Sequence, residues 1–198
     1  MRFALTILFT LAFAFGKSQD WELKKSADGI QVFTKPITGS AFKAFKAQME
    51  LHATVAQIEY ILKNADKFKA VFPDTEELEI LDRPNENSLI QYNRTDAPWP
   101  VSDRDGVYQN DFSKTPEGGL KVVGYVLQNY KPEVEDVVRM KKSDVTWLAT
   151  PLNSGMIKLE YIVAADPGGK LPEWLVNSAV TEMPFETFEN IRKAIEQL

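Results

Sequence analysis

The stretch Asp166-Pro167-Gly168-Gly169-Lys170-Leu171-Pro172, followed by one long helical pattern from Glu173 to Leu198, decides how the rest of the chain must be arranged. Pro167 and the paired glycines end any strand before them. Pro172 suits the first turn of a helix, where no backbone N–H is needed. At about 100° per residue, Val176, Ala179, Val180 and Met183 fall on one stripe. Phe188, Ile191, Ile195 and Leu198 continue an apolar stripe displaced roughly 80° around the axis. Pro184 stands at the changeover and cannot donate to the carbonyl of Val180, so a kink or loosened turn is expected there. Such a helix is not stable alone, and the remaining chain must supply the apolar surface that its bent face covers.

Upstream, that surface reads as strands. Trp21–Lys25 and Ile30–Ile37 flank the turn Asp28-Gly29, and Ala41–Leu51 alternates well enough for a third strand. Thr54 caps an expected helix Val55–Asn64, in which Val55, Ile58, Ile61 and Leu62 share a face. A second short helix, Ala65–Val71, is ended by Pro73. From Glu76 to Ala165 the pattern predicts strands over Glu76–Asp82, Ser88–Asp96, Asp105–Ser113, Leu120–Asn129, Val134–Lys142, Asp144–Pro151 and Met156–Ala165. Short turns between consecutive strands mean an antiparallel meander. With no internal repeat or low-complexity linker, the expectation is one α+β domain in which a curved sheet wraps around one helix.

Composition narrows the chemistry. The chain of 198 residues is 44% apolar, ample for one core. Its net charge of −5 argues against a nucleic-acid partner. It contains no cysteine, which removes disulfides, thiol catalysis and cysteine-ligated metals, and a single histidine, His52, which argues against histidine metal sites and catalytic triads. Residues 1–16 read as a secretory signal peptide: Arg2, an apolar run Phe3–Phe15, and the small-x-small pairs Ala12-Phe13-Ala14 and Ala14-Phe15-Gly16 before a polar Lys17-Ser18-Gln19-Asp20. Residues 17–198 are then the functional domain. Export to a bacterial periplasm or beyond is expected, with a retained anchor as the rival reading.

Three segments carry a family resemblance. Residues Asp166 to Asn177 resemble the start of the last helix in StAR-related lipid-transfer (START) domains. Pro98-Trp99-Pro100-Val101-Ser102-Asp103-Arg104-Asp105 resembles that family's loop between two central strands, and Trp21…Asp28-Gly29-Ile30 resembles its beginning. The similarity spans Trp21 to Leu198. It implies a helix-grip fold with an internal hydrophobic tunnel for one lipid, closed by the C-terminal helix and by the loop near Ala97–Asp103. It implies no cofactor and no metal. The export segment departs from cytosolic members, so transfer between cytosolic membranes does not carry over.

A lipid pocket needs apolar area and a few polar groups to orient the head. Ile90, Tyr92 and Arg94 alternate onto one face of their strand, so if Tyr92 faces the helix, Arg94 does too; the alternative is an Arg94 solvated or paired on the surface at the strand's end. Arg104 either fixes its loop together with Asp103 and Asp105 or orients a head group. Trp99, held between Pro98 and Pro100, is a core plug, a pocket wall or a membrane-touching tip. Arg139 is a further candidate polar group, with surface pairing to Glu135 or its neighbours as the alternative. Tyr125, Trp147 and Tyr161 are wide side chains for core or pocket wall, and Asn177 lies at the edge of the helix stripe. Val180, Met183, Thr187, Phe188 and Ile191 would roof the tunnel, with Pro98, Pro100 and Pro184 as gate elements.

Three functions fit these residues. The first is a monomeric, non-catalytic lipid carrier that touches membranes transiently and opens by parting the helix from the Trp99 loop. The second is a cyclase- or hydrolase-type enzyme on the same fold, using carboxylates such as Asp105 or Glu160. No Gly-x-Ser-x-Gly elbow supports it. The third is a protein-interaction module with a solid core.

Overall fold

Asp28 and Gly29 both take positive φ, 50° and 75°, the hairpin geometry that matches the twist of its flanking strands. They join β1 (Glu22–Ala27) to β2 (Ile30–Pro36), and β3 (Lys43–His52) follows in the same antiparallel sense. The computed structural model describes residues 21–40, 42–169 and 171–198, so the expected signal peptide lies outside the described residues.

Helix α1 (Val55–Lys63) begins at a capping box. Thr54 Oγ1 accepts from the Gln57 amide at 3.2 Å, and Gln57 Oε1 accepts from the Thr54 amide at 2.9 Å. Asn64 then ends α1 and caps α2 (Ala65–Val71), its Oδ1 accepting from the Lys67 amide at 3.0 Å. The chain next crosses to the far edge of the sheet. There β4 (Thr75–Asn85), β5 (Ser88–Thr95), β6 (Arg104–Lys114) and β7 (Leu120–Val126) form the meander, and β9 (Lys142–Pro151) and β10 (Met156–Asp166) close the gap back to β3. The curved sheet runs β1-β2-β3-β10-β9-β7-β6-β5-β4, as expected for an α+β helix-grip fold.

One expected strand is corrected. Of Val134–Lys142 only Val138–Arg139 (β8) forms a strand of its own, pairing in parallel with Arg104–Asp105, while Lys142 already belongs to β9. The reason is geometric. β7 ends at Val126, opposite Tyr108, and its other side is taken by β9, so only the first residues of β6 remain open to pairing.

Helix α3 (Glu173–Glu196) runs unbroken through Pro184, which leaves the Val180 carbonyl without its usual donor. The helix divides there in function. After Pro184, Phe185, Phe188 and Ile191 are buried in the main core with β2, β3 and α2. Before it, Val176, Val180 and Met183 are only half-buried, and they face a void. A separate small cluster of Ile90, Tyr92 and Val107, joined by Leu81 and Leu127, lies on the opposite face of β5 and β6.

Candidate functional site

Strand alternation decides which side chains meet the void under α3. From β5 these are Gln91, Asn93 and Thr95; from β6, Arg104, Tyr108 and Asn110. Across the sheet, β9 adds Ser143, Val145 and Trp147, and β10 adds Tyr161, Val163 and Ala165. The register makes these into rows: Asn110 lies opposite Gly124, Gly124 opposite Val145, Val145 opposite Val163, and Val163 opposite Phe45. Leu175, Val176, Ala179, Val180 and Met183 of α3 form the roof, with Phe68 and Phe72 at one side. The cavity, open toward its mouth, has a volume of about 350 Å³.

The row below this one closes the floor. Trp147 and Tyr161 stack with centroids 3.9 Å apart and planes 10° from parallel. Phe188 lies nearly parallel to Trp147 at 6.1 Å, and Phe72 meets both stacked rings edge-on at 6.0 and 5.9 Å. Offset and edge-to-face packing of this kind adds about 0.5–1.5 kcal/mol per pair beyond area burial, so the floor is firm.

The β5–β6 wall is polar. Three buried side-chain atoms lack any hydrogen-bond partner among the described residues: Asn93 Oδ1, Arg104 Nε and Asn110 Nδ2, all from residues that line the cavity. Tyr108 is half-buried and lines the cavity, and burial pushes its phenol well above the usual range. The Tyr161 phenol is raised for the same reason, with Tyr108 a smaller contributor. Two glycines make room for these groups. A Cβ at Gly106 would stand 2.7 Å from the Tyr108 ring, and one at Gly124 would stand 2.6 Å from Asn110 Oδ1. Arg104 donates through Nη1 to the Ser102 carbonyl and forms no salt bridge among the described residues. Desolvation pulls its pKa down, opposed only by Asp103.

Of the residues singled out in the sequence, the structure brings Arg104, Pro98, Trp147, Tyr161, Val180 and Met183 to the cavity. Phe188 and Ile191 lie below it in solid core, and Thr187 is buried with its hydroxyl donating to the Met183 carbonyl at 2.8 Å. Tyr125 is exposed on the outer face of β7, and Asn177 is exposed on α3. Pro100 is exposed and Trp99 is 91% exposed, which makes Trp99 a projecting tip, neither core plug nor pocket wall.

Tyr92, Arg94 and Arg139 are corrections. Ile90 and Tyr92 face away from α3, because the segment 127–141 folds over that side and buries them. Arg94 follows the same face and pairs with Asp103 at 2.6 Å and Glu76 at 2.9 Å. Arg139, expected either in the pocket or paired with Glu135, instead grips buried Asp105 through Nε–Oδ1 at 2.7 Å and Nη2–Oδ2 at 2.9 Å, and donates to the Lys131 and Pro132 carbonyls. Tyr92 donates its hydroxyl to Asp105 Oδ2 at 3.0 Å. Burial, and then this bond, push the Tyr92 phenol up to about 12. Asp105 is thus locked outside the cavity, and Glu160 pairs with Lys158 at 3.0 Å. Sequence reasoning missed Gln91, Asn93, Tyr108 and Asn110. Their signal was present: amides at alternate positions of strands, where Asn is normally depleted.

The START domain family model matches residues 14–198. The chain belongs to the START domain family. A relative in Pseudomonas aeruginosa, an uncharacterized protein, is 30% identical over 180 residues, covering 91% of this chain and 89% of its own length. The crystal structure of a STAR-related lipid transfer protein fragment from Xanthomonas axonopodis superposes with a TM-score of 0.82 at 32% identity, covering 89% of this START domain's chain and 99% of that fragment. Human STARD10 shares the fold, with a TM-score of 0.78 at 20% identity over 89% of this chain and 73% of that one. Rat phosphatidylcholine transfer protein is 23% identical over 167 residues, 81% of this chain and 76% of the relative.

Proposed function

We propose that this START domain is a lipid carrier that holds one hydrophobic ligand between its sheet and α3. The observation that carries the reading is the void itself: an apolar roof and aromatic floor with unsatisfied polar atoms on one wall, all inside the fold. A solid interaction module would bury none of those atoms without partners, since each costs about 1–3 kcal/mol. A ligand head group supplies the missing partners, and its chain replaces water against the apolar surfaces at roughly 25 cal/mol per Å². Catalysis is not favoured, because the carboxylates considered for it, Asp105 and Glu160, are engaged in ion pairs and do not line the cavity.

Entry requires the roof to move. The half of α3 before Pro184 covers the void, while the half after it is anchored in core, so Pro184 is where the two can part. The loop 97–103 borders the same opening through Ala97 and Pro98. Trp99, 91% exposed at the loop's tip, and Trp174, 56% exposed on the first turn of α3, are suited to a membrane interface. Trp99→Ala should weaken binding to lipid vesicles in a flotation assay; equal flotation refutes the contact. The segment 1–16 supports export of the chain, which acts there as a monomer.

Native mass spectrometry of the purified domain, before and after delipidation, tests the function. One intact lipid per chain, removable and reloadable, is the expected result. A chain that stays empty when offered a total lipid extract refutes carriage, and a chemically altered lipid points to catalysis.

A further inference from the structure

The carrier reading leaves the head group open, and one wall of the cavity bears on it. We propose that the ligand is a single-chain amphiphile with an anionic head, a carboxylate or a phosphate monoester, whose oxygens are held near the mouth by Arg104 with Asn93 beside it; this presupposes that the cavity carries a lipid at all.

The arginines around this end of the sheet differ in one respect. Arg94 is neutralised by Glu76 and Asp103, and Arg139 by Asp105. Arg104 forms no such pair among the described residues, and its Nε is buried without an acceptor. Asp103, whose charge acts on Arg104, is engaged on both oxygens: Oδ2 accepts from Arg94 Nε and Nη2, and Oδ1 accepts from the Ala97 amide at 3.0 Å. Asp74, Asp96 and Lys43 also border the cavity, but all three are exposed at its rim, where solvent screens them. A guanidinium whose Nε is buried in the cavity wall without an acceptor or counter-ion is costly, and an anionic oxygen on Nε removes that cost through a charge-assisted bond. The downward pull of desolvation on the Arg104 pKa reports the same lack of compensation.

Asn93 completes the cradle. In the β5–β6 register Thr95 lies opposite Arg104 and Asn93 opposite Gly106, so Arg104 and Asn93 are diagonal neighbours, roughly 7–8 Å apart along the backbone. Gly106 has no side chain of its own, and the Tyr108 ring lies over it, where a Cβ would stand 2.7 Å from the ring and 3.0 Å from the phenol oxygen, so that hydroxyl borders the same space. The unsatisfied carboxamide of Asn93 accepts from a protonated head-group oxygen as it stands, or donates to an anionic one when turned over.

The chain follows from the walls below. From the mouth the cavity passes Val145, Val163 and Phe45 and stops at the Trp147–Tyr161 stack. Its volume of about 350 Å³ is near the lower end of the range of about 300–1,000 Å³ for small-molecule pockets, which favours one chain over two.

The test titrates the delipidated protein with four probes: hexadecanoate, hexadecyl phosphate, hexadecanol and dipalmitoyl phosphatidylcholine. The expected result is one-to-one binding of both anions, with hexadecanol and the two-chain lipid weaker on the order of 10- to 100-fold. A larger affinity for the phosphate probe would assign the head as phosphate, and a larger affinity for the carboxylate probe as carboxylate. Arg104→Gln should erase the anion preference and Arg104→Lys should retain most of it, with circular dichroism melting to show that each variant is folded. Three results overturn the assignment while leaving carriage intact: hexadecanol or phosphatidylcholine bound as tightly as the anions, an anion preference that survives Arg104→Gln, or anion affinity that falls with Asn110→Leu and not with Arg104→Gln. Failure of every probe to bind overturns the head-group assignment together with the carrier reading beneath it.

Discussion

Trp147 is the residue on which ligand length should depend. It is 3% exposed, stacks on Tyr161, and stands one same-face step below Val145, so its indole blocks about 7 Å of strand length that would otherwise be open. Trp147→Ala removes that block and costs about 3–5 kcal/mol of stability, as large-to-small core changes do. Against a typical total of about 5–15 kcal/mol the variant is weakened, and Trp147→Phe serves as a milder companion. In the wild type, alkyl carboxylates of increasing length should gain about 0.8 kcal/mol, close to fourfold, for each added methylene until the terminal methyl meets the floor. Beyond that length affinity should level off. In Trp147→Ala the levelling-off should move outward by several carbons. A ligand two methylenes past the wild-type limit should then bind the variant with about 1.6 kcal/mol, some 15-fold, of affinity that the wild type cannot obtain from the same two groups. Calorimetric titration of the length series reads this directly, and the longest ligands should raise the melting temperature of the variant more than that of the wild type. A break at the same chain length in both proteins would refute the placement of the floor.

Asp105→Ala leaves the Arg139 guanidinium buried without its carboxylate, and the expected loss is about 3–5 kcal/mol in urea unfolding, with the 127–141 segment losing hydrogen-exchange protection first. A loss under 1 kcal/mol would show that the pair does not fasten that segment. Pro184→Ala restores the donor for the Val180 carbonyl and stiffens the junction between roof and anchor, so lipid dissociation measured by stopped flow should slow; an unchanged rate ends the hinge idea. The Arg94 guanidinium, and then the Ala97 amide, hold the Asp103 carboxyl below the usual carboxylate range, so this contribution is fully present above the unfolded value of about 3.9 and is lost as pH falls through the lower folded value. Below about pH 4 the loop 97–103 should therefore loosen, seen as a Trp99 fluorescence change that Asp103→Asn shows already at neutral pH. No difference between the two proteins at neutral pH would remove Asp103 from that role.

What the sequence disclosed divides along a physical line. Signals local to a few residues were legible: the Asp28-Gly29 turn, the Thr54 and Asn64 caps, and the breakers ahead of α3 all act through backbone geometry within one turn. So was the division of the α3 stripe at Pro184, which separates cavity roof from solid core. Pairings at long range were not. Asp105 and Arg139 meet across 34 residues through a two-residue parallel contact, and no periodicity announces it. The face of β5 failed for a different reason. Alternation gave two faces, Ile90-Tyr92-Arg94 and Leu89-Gln91-Asn93, and the more apolar one was assigned to the helix because buried faces are normally apolar. Both faces of this strand are covered, however: one by the cavity and α3, the other by the 127–141 segment. The outer face is packed against protein along its length and carries Ile90 and Tyr92. The inner face reaches solid core only at Leu89; from Gln91 onward it meets a ligand-sized void and carries the amides. In a hollow domain the rule that apolar means inward holds only where the interior is solid. A strand with amides at alternate positions and an apolar opposite face is therefore evidence that something folds over its outside, and it directs the search for head-group contacts to Asn93, Asn110 and their neighbour Arg104.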